Sequence, residues 1–256
     1  MTSYAYDTAH QSALLTFMRH GEKNAAGELT TNGHYQAKKR GVQTKTLDGD
    51  IMLFHSGVGR VKDSVRDTVR VMAAHLRLDK ETTDQLELGH HIVDYVAPGL
   101  QYFTDISNRG TYYSSWDGAD NQSPERVNNR MRELLLLGSA SPEPGLCYSP
   151  REMAQHLAVM IGIEVRFANM TDISHRVNFV NGSHEPVLMS FLHYFLHDFN
   201  PKGCDTVGEV GGSIEFAESF EVGVYHTSDS DFYVELKFRD LVKIVDLVKL
   251  REFGYS

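Results

Sequence analysis

Short apolar runs and longer amphipathic stretches take turns along most of this chain. "LLTFM" (14–18), "DIMLFHS" (50–56) and "RVNFVNG" (176–182) are compact apolar runs bounded by polar or glycine-containing segments, the pattern of buried strands. After the second run, "GRVKDSVRDTVRVMAAHL" (59–76) places Val61, Val65, Val69 and Met72 at helical spacing, leaving Lys62, Asp63, Arg66, Asp67 and Arg70 for the wet faces. Gly33 to Leu47 predicts a weaker helix around Tyr35, Ala37 and Val42. "SPERVNNRMRELLLLG" and "SPREMAQHLAVMIG" each open on a serine N-cap with proline at the first helical position, and are predicted to stop at Gly138 and Gly162. "EPVLMSFLHYFL" (185–196) is apolar nearly all round, which predicts a helix buried on the flank of a sheet. The tail, "SIEFAESFEVGVYH" and "DFYVELKFRDLVKIVDLV", alternates every second residue and predicts a closing β-hairpin.

Alternating strands and helices point to an α/β fold with a largely parallel sheet. Neither a repeat nor a low-complexity segment divides the sequence, so residues 1–256 read as one domain. Its exceptions are a long, loop-rich insertion at about 89–122 and the C-terminal hairpin. That insertion is rich in aromatic residues and holds the sole tryptophan, Trp116; segments of this length and character often cover a pocket and set its specificity.

Composition narrows the partners. With 25 Lys and Arg against 34 Asp and Glu the net charge is -9, which disfavours a nucleic acid and leaves room for a small anion held by local cations. The opening "MTSYAYDTAHQSALLTF" lacks the basic start and long apolar run of a signal peptide, and no run approaches 18 apolar residues; the expectation is a cytoplasmic protein without a membrane partner. Cys147 and Cys204 allow at most one disulfide and form no CxxC pair.

The chemistry gathers at strand ends. The first strand runs into Arg19-His20-Gly21, the second into "HSGVGR" ending at Arg60, and the third into Ser183-His184-Glu185. In an open α/β sheet ligands bind beyond the carboxyl ends of the strands. Were these three strands parallel neighbours, two arginines and two histidines would meet there. Guanidinium forks match phosphate oxygens, and phosphoryl transfer asks mainly for positioning and charge neutralisation. A neutral histidine can attack phosphorus, a second can stabilise the transition state, and a carboxylic acid can protonate the leaving oxygen. Taken singly, each pair has an ordinary structural explanation; recurrence at three strand ends is what favours phosphate chemistry. Thirteen histidines also raise a metal, with His193 and His197 four apart and His90-His91 adjacent, but no third ligand stands at a familiar spacing, so no metal and no cofactor are expected.

"FMRHGEKN" followed by "LTTNGHYQAKKRG" (29–41) resembles the signature of the histidine phosphatase superfamily, an RHG core with an L-T-x-x-G-x-x-Q-A run; Leu29, Thr30, Gly33, Gln36 and Ala37 fall in register. "HSGVGRVKDS" is similar to its S-S-P-x-x-R-A-x-x-T segment through Ser56, Arg60 and Ser64, with Gly57 in place of the proline. "NFVNGSHEPVLMSFL" resembles its strand and S-H-G motif, with Glu185 in place of the glycine; "SPERVNNRMREL" resembles a further helix loosely. The resemblance spans most of residues 14–195. It implies a phosphoglycerate mutase-like three-layer α/β/α sandwich with a mostly parallel central sheet. It also implies His20 as nucleophile, Arg19 and Arg60 as phosphate clamps and His184 as second phosphate ligand, with Gly21, Glu22, Asn24 and Ser183 expected around the substrate. Three carboxylates compete as proton donor: Glu87 in "DQLELGHH", preferred; Glu185, directly after the second histidine as in phytase-like and acid-phosphatase members; and Glu22, read rather as an orienting group.

The resulting expectation is a metal-independent phosphatase acting on a small phosphate monoester through a phosphohistidine at His20. A mutase-like phosphotransferase and a low-turnover scaffold that keeps the fold are the alternatives. Substrate identity and oligomeric state are not legible in the residues.

Overall fold

The computed structural model describes residues 10–75, 95–104, 112, 123–170, 176–227 and 231–256. Elements run in the order β1 (His10–Arg19), α1 (Thr31–Gln43), β2 (Asp50–His55), α2 (Gly59–His75), β3 (Tyr95–Val96), a 3-10 turn (Pro98–Leu100), α3 (Pro124–Leu136), α4 (Pro150–Met170), β4 (Val177–Ser183), α5 (Glu185–Leu196), α6 (Thr206–Glu209), β5 (Ser219–His226), β6 (Phe232–Phe238), β7 (Leu241–Ile244) and α7 (Leu247–Gly254).

A seven-stranded sheet in the order β3-β2-β4-β1-β5-β6-β7 divides the helices into two layers. Strands β1, β4, β2 and β3 pair in parallel, whereas β1–β5, β5–β6 and β6–β7 pair antiparallel. The expected α/β/α sandwich is therefore present, but the sheet is half parallel rather than mostly so. The cause is the tail, whose strands follow one another through short connections and so reverse direction at each turn. On β4 successive side chains face opposite layers: a β-carbon on Gly182 would strike Val65 and Val61 of α2, while Asn181 donates to Glu164 of α4. Both faces are dry, and β4 is buried at every position, which is why it reads as a continuous apolar run despite two asparagines.

Several boundaries differ from the expected ones for local reasons. Helix α1 begins earlier, at Thr31, because Thr30 caps it by accepting from the Gly33 amide at 3.0 Å. Ser149 and Glu152 form a reciprocal capping box that starts α4, through Ser149 N–H to Glu152 Oε2 at 2.7 Å and Glu152 N–H to Ser149 Oγ at 3.2 Å. Gly162 does not end that helix. It continues to Met170 because Glu164, Val165 and Ala168 prolong the buried face set by Leu157 and Ile161. The stretch from Ser213 is a loop until β5 begins at Ser219, since Ala217 within it takes a positive φ of 56° that breaks the extended backbone. At the far end the second alternating segment divides into β6, β7 and the short helix α7, started by Asp246 accepting from Val248 and Lys249 amides. Both cysteines are free thiols, and no helix among the described residues is long and apolar enough to cross a membrane.

Candidate active site

Parallel pairing aligns the ends of β1, β4 and β2: Arg19 lies opposite Ser183, and His55 opposite Gly182. The residues that follow each strand thus emerge on one edge of the sheet. His20 N–H donates to the Ser183 carbonyl at 3.3 Å, which ties the first strand end to the third. Arg60 arrives from the first turn of α2 and His184 from the residue before α5.

The RHG loop is held by α1, and the geometry accounts for the spacing of that motif. Gly21 and Gly33 pack backbone against backbone: a β-carbon on Gly21 would lie 2.3 Å from the Gly33 oxygen, and one on Gly33 would lie 2.1 Å from the Glu22 oxygen. Gln36, one turn on, accepts from the Glu22 amide at 2.8 Å, and Thr30 donates to Glu22 Oε1 at 3.0 Å. From the other side, Ser64 Oγ accepts from the Gly21 amide at 3.0 Å and donates to the Arg60 carbonyl at 2.8 Å, joining the loop to the helix that carries Arg60.

His20, Arg60, His184 and Glu185, all buried, converge inside this frame with the partly buried Arg19. His20 Nδ1 lies 2.7 Å from the Gly21 carbonyl, which can only accept, so Nδ1 carries the proton. The lone pair is then on Nε2, where Arg60 Nε donates at 3.2 Å. Burial, followed by the charges of Arg60 and Arg19, holds the imidazole well below its ordinary 6.5, against the opposing Gly21 bond. His184 stands edge-on to His20 with ring centroids 5.5 Å apart; its Nε2 pairs with Ser56 Oγ at 2.9 Å, and Tyr102 packs against it at 4.6 Å. Arg19 extends Nη1 to the Ile214 carbonyl at 2.7 Å and Nη2 to Glu185 Oε2 at 2.9 Å, with Phe216 stacked 4.1 Å from its Cζ. The other Glu185 oxygen accepts from Ser213 Oγ.

These residues floor a pocket of about 390 Å³. It is also lined by Lys23 and Gln36, by Pro124, Val127, Asn128 and Arg130 from the start of α3, and by residues 211–216 with Arg239. Two arginines and two histidines, one with an unprotonated ring nitrogen, lining one hollow suit the capture of a tetrahedral oxyanion.

Solved structures share the fold around this pocket. A solved structure described as mycobacterial hydrolase 1 superposes over 88% of this chain and 96% of its own, with 13% identity and a TM-score of 0.51. The chain shares the three-layer α/β/α fold of that structure. Weaker structural similarity extends to a mycobacterial glucosyl-3-phosphoglycerate phosphatase (15% identity, 88% and 96% coverage, TM-score 0.48) and a phosphoserine phosphatase from Entamoeba histolytica (15% identity, 86% and 96% coverage, TM-score 0.43). No family model and no curated protein sequence matches the chain.

On this scaffold Arg19, His20, Arg60, His184 and Glu185 come together, while other expected site residues stand apart from the pocket. Glu22 is engaged by Thr30 and by Asn32 Nδ2 at 2.8 Å. Asn24 closes a turn by accepting from the Glu28 amide at 3.0 Å. Ser183 donates to the Leu100 carbonyl at 2.9 Å, and Gly21 is a packing contact. Glu87 and Trp116 lie outside the described residues. His193 and His197 both bond to Thr206 Oγ1, at 2.7 and 2.9 Å, and no group of three or more metal-ligating side chains occurs among the described residues. Sequence reading passed over the 211–216 wall and Arg239; the paired glycines before Ser213 were the signal for a loop there, and nothing local marked the arginine.

Proposed function

We propose that this protein is a phosphomonoesterase acting on a small ester through a covalent phosphohistidine. Nε2 of His20 attacks phosphorus in line with the ester oxygen; the N–P bond forms, the P–O bond breaks, and the alcohol leaves with a proton from a carboxylic acid. Water then cleaves the N–P bond and releases orthophosphate. Arg19 and Arg60 neutralise the equatorial oxygens, Arg60 exchanging its bond to Nε2 for one to the substrate, and His184 with Ser56 stabilises the transferring group. Glu185 has both oxygens committed to Arg19 and Ser213, so its role is to hold Arg19, and the proton is assigned to Glu87. Gly21, Glu22, Asn24 and Ser183 act as the frame rather than as contacts to substrate.

The observation that carries this reading is the His20 tautomer. Its proton is spent on the Gly21 carbonyl, and the Nε2 lone pair accepts from Arg60, a bond that substrate can displace. Hydrolysis of an aryl phosphate by wild type and His20→Ala tests it, together with trapping of an acid-labile phosphate on His20. Turnover and labelling in wild type alone are expected; turnover in His20→Ala, or none in wild type, overturns it, the latter in favour of the scaffold alternative.

A further inference from the structure

Arg239 is the first residue of the two-residue turn between β6 and β7, and its φ of 53° lies in the left-handed region that disfavours a side chain. Glycine or asparagine is the usual occupant of such a position. The arginine there uses its entire fork. Nε and Nη2 each reach the Glu218 carboxylate at 2.8 Å, and Nη2 donates to the Ser213 carbonyl at 3.0 Å. Nη1 donates to the carbonyls of Gly212, at 3.1 Å, and Val210.

All of these acceptors belong to the 210–218 segment, which contains two successive positive-φ glycines, Gly211 and Gly212. Such a segment has high intrinsic freedom, and fixing it takes tertiary bonds. Its residues surround Arg19: the Ile214 carbonyl takes Nη1, Phe216 stacks on the guanidinium, and Ser213 Oγ orients the Glu185 carboxylate that takes Nη2. The Glu218 carbonyl also accepts the Arg19 backbone amide at 2.9 Å. Asn128 of α3 adds one bond, accepting from the Ser213 amide at 2.8 Å.

We infer that Arg239 is a positioning residue for phosphate capture: it stitches the 210–218 segment into the one shape that fixes the Arg19 fork. The inference rests on the reading of Arg19 as a phosphate clamp. A staple serving only the β6–β7 turn would contribute to stability but would be indifferent to Arg19.

A double-mutant cycle separates the two. Arg239→Gly suits the backbone conformation and keeps the turn, so it removes the stitch without straining the hairpin. Orthophosphate binding by calorimetry and kcat/KM for an aryl phosphate are measured for wild type, R239G, R19A and R19A/R239G. R239G should weaken orthophosphate binding about tenfold and lower kcat/KM at least as much, as for a displaced charge-assisted contact. In the R19A background the same change should alter kcat/KM less than about twofold. R239K, which keeps the charge but cannot span a carboxylate and three carbonyls, should fall between wild type and R239G; it also replaces R239G in the cycle if the glycine variant does not fold. Equal fold losses in both backgrounds, or unchanged orthophosphate affinity in R239G, overturn the inference while leaving the phosphate site intact. Wild-type protein that binds no orthophosphate overturns the phosphate-site reading and this inference with it.

Discussion

Nε2 of His20 receives a hydrogen bond from Arg60 Nε at 3.2 Å while Nδ1 of the same ring faces the Gly21 carbonyl at 2.7 Å. One bond selects the tautomer and the other aims it. A cation beside a neutral imidazole also resists its protonation, so Arg60, proposed above as an oxyanion ligand, also keeps the proposed nucleophile neutral.

The pH dependence follows from that depressed value, caused first by burial and then by Arg60 and Arg19. His20 stays neutral above pH 6.5, so the acid limb of kcat/KM due to this ring lies below 6.5. Arg60→Gln should move the limb toward higher pH as well as lower the rate. A pH profile of both proteins checks this, and a limb that stays in place in the variant contradicts it.

His184→Ala should lower kcat by about 10²- to 10³-fold, the cost of removing one preorganised oxyanion donor. Ser56→Ala, which removes only its partner at 2.9 Å, should cost about tenfold. Steady-state kinetics at saturating aryl phosphate measure both.

Glu185→Gln distinguishes a clamp from an acid. A clamp on Arg19 predicts similar losses for aryl and alkyl phosphates, because the damage is to phosphate capture. A general acid predicts a loss concentrated on the alkyl ester, whose leaving oxygen needs the proton. Comparing kcat/KM for the two ester types decides between them, and we expect similar losses.

Gly21→Ala should be disruptive even though no substrate contact is removed. Its β-carbon meets the Gly33 oxygen at 2.3 Å, a backbone atom that cannot rotate away. The loop must shift, at a cost of about 3 kcal/mol, and His20 with it. Denaturant unfolding and kcat/KM should both fall.

Glu164 gives a separate test of the core. Burial raises its carboxyl well above the ordinary 4.5, with the Asn181 bond opposing. Because the folded value is raised, stability from this group is complete below pH 4.5 and is lost as pH rises through the folded value. Glu164→Gln keeps the shape and removes the titration, so the variant should gain stability relative to wild type between pH 5 and pH 8. Thermal unfolding across that range shows it; parallel curves for the two proteins would refute it.

The strands β1, β2 and β4 and the helices α2 and α5 were legible to within a few residues because each carries its own signal: an apolar run too short for a helix, or valines at i, i+4 and i+8. The RHG and L-T-x-x-G-x-x-Q-A stretches were legible for a related reason. Their glycines and capping threonine answer to contacts between neighbouring pieces of chain, Gly21 against Gly33 and Thr30 against its own helix. Gly162 misled because a glycine stops a helix only where packing does not carry it onward, and Ser213 misled because alternation persists through a loop whose φ values cannot be read from side chains.

Local interactions thus settled the parallel α/β half of the molecule and the chemical character of its strand ends, since burial periodicity and backbone caps act over a few residues. Which carboxylate meets Arg19, where the antiparallel tail turns, and that Arg239 from the β6–β7 turn borders the same hollow as His20 were settled by the packed sheet alone. Those contacts join residues far apart along the chain, and no periodicity along it encodes the distance between groups that meet only when its layers close.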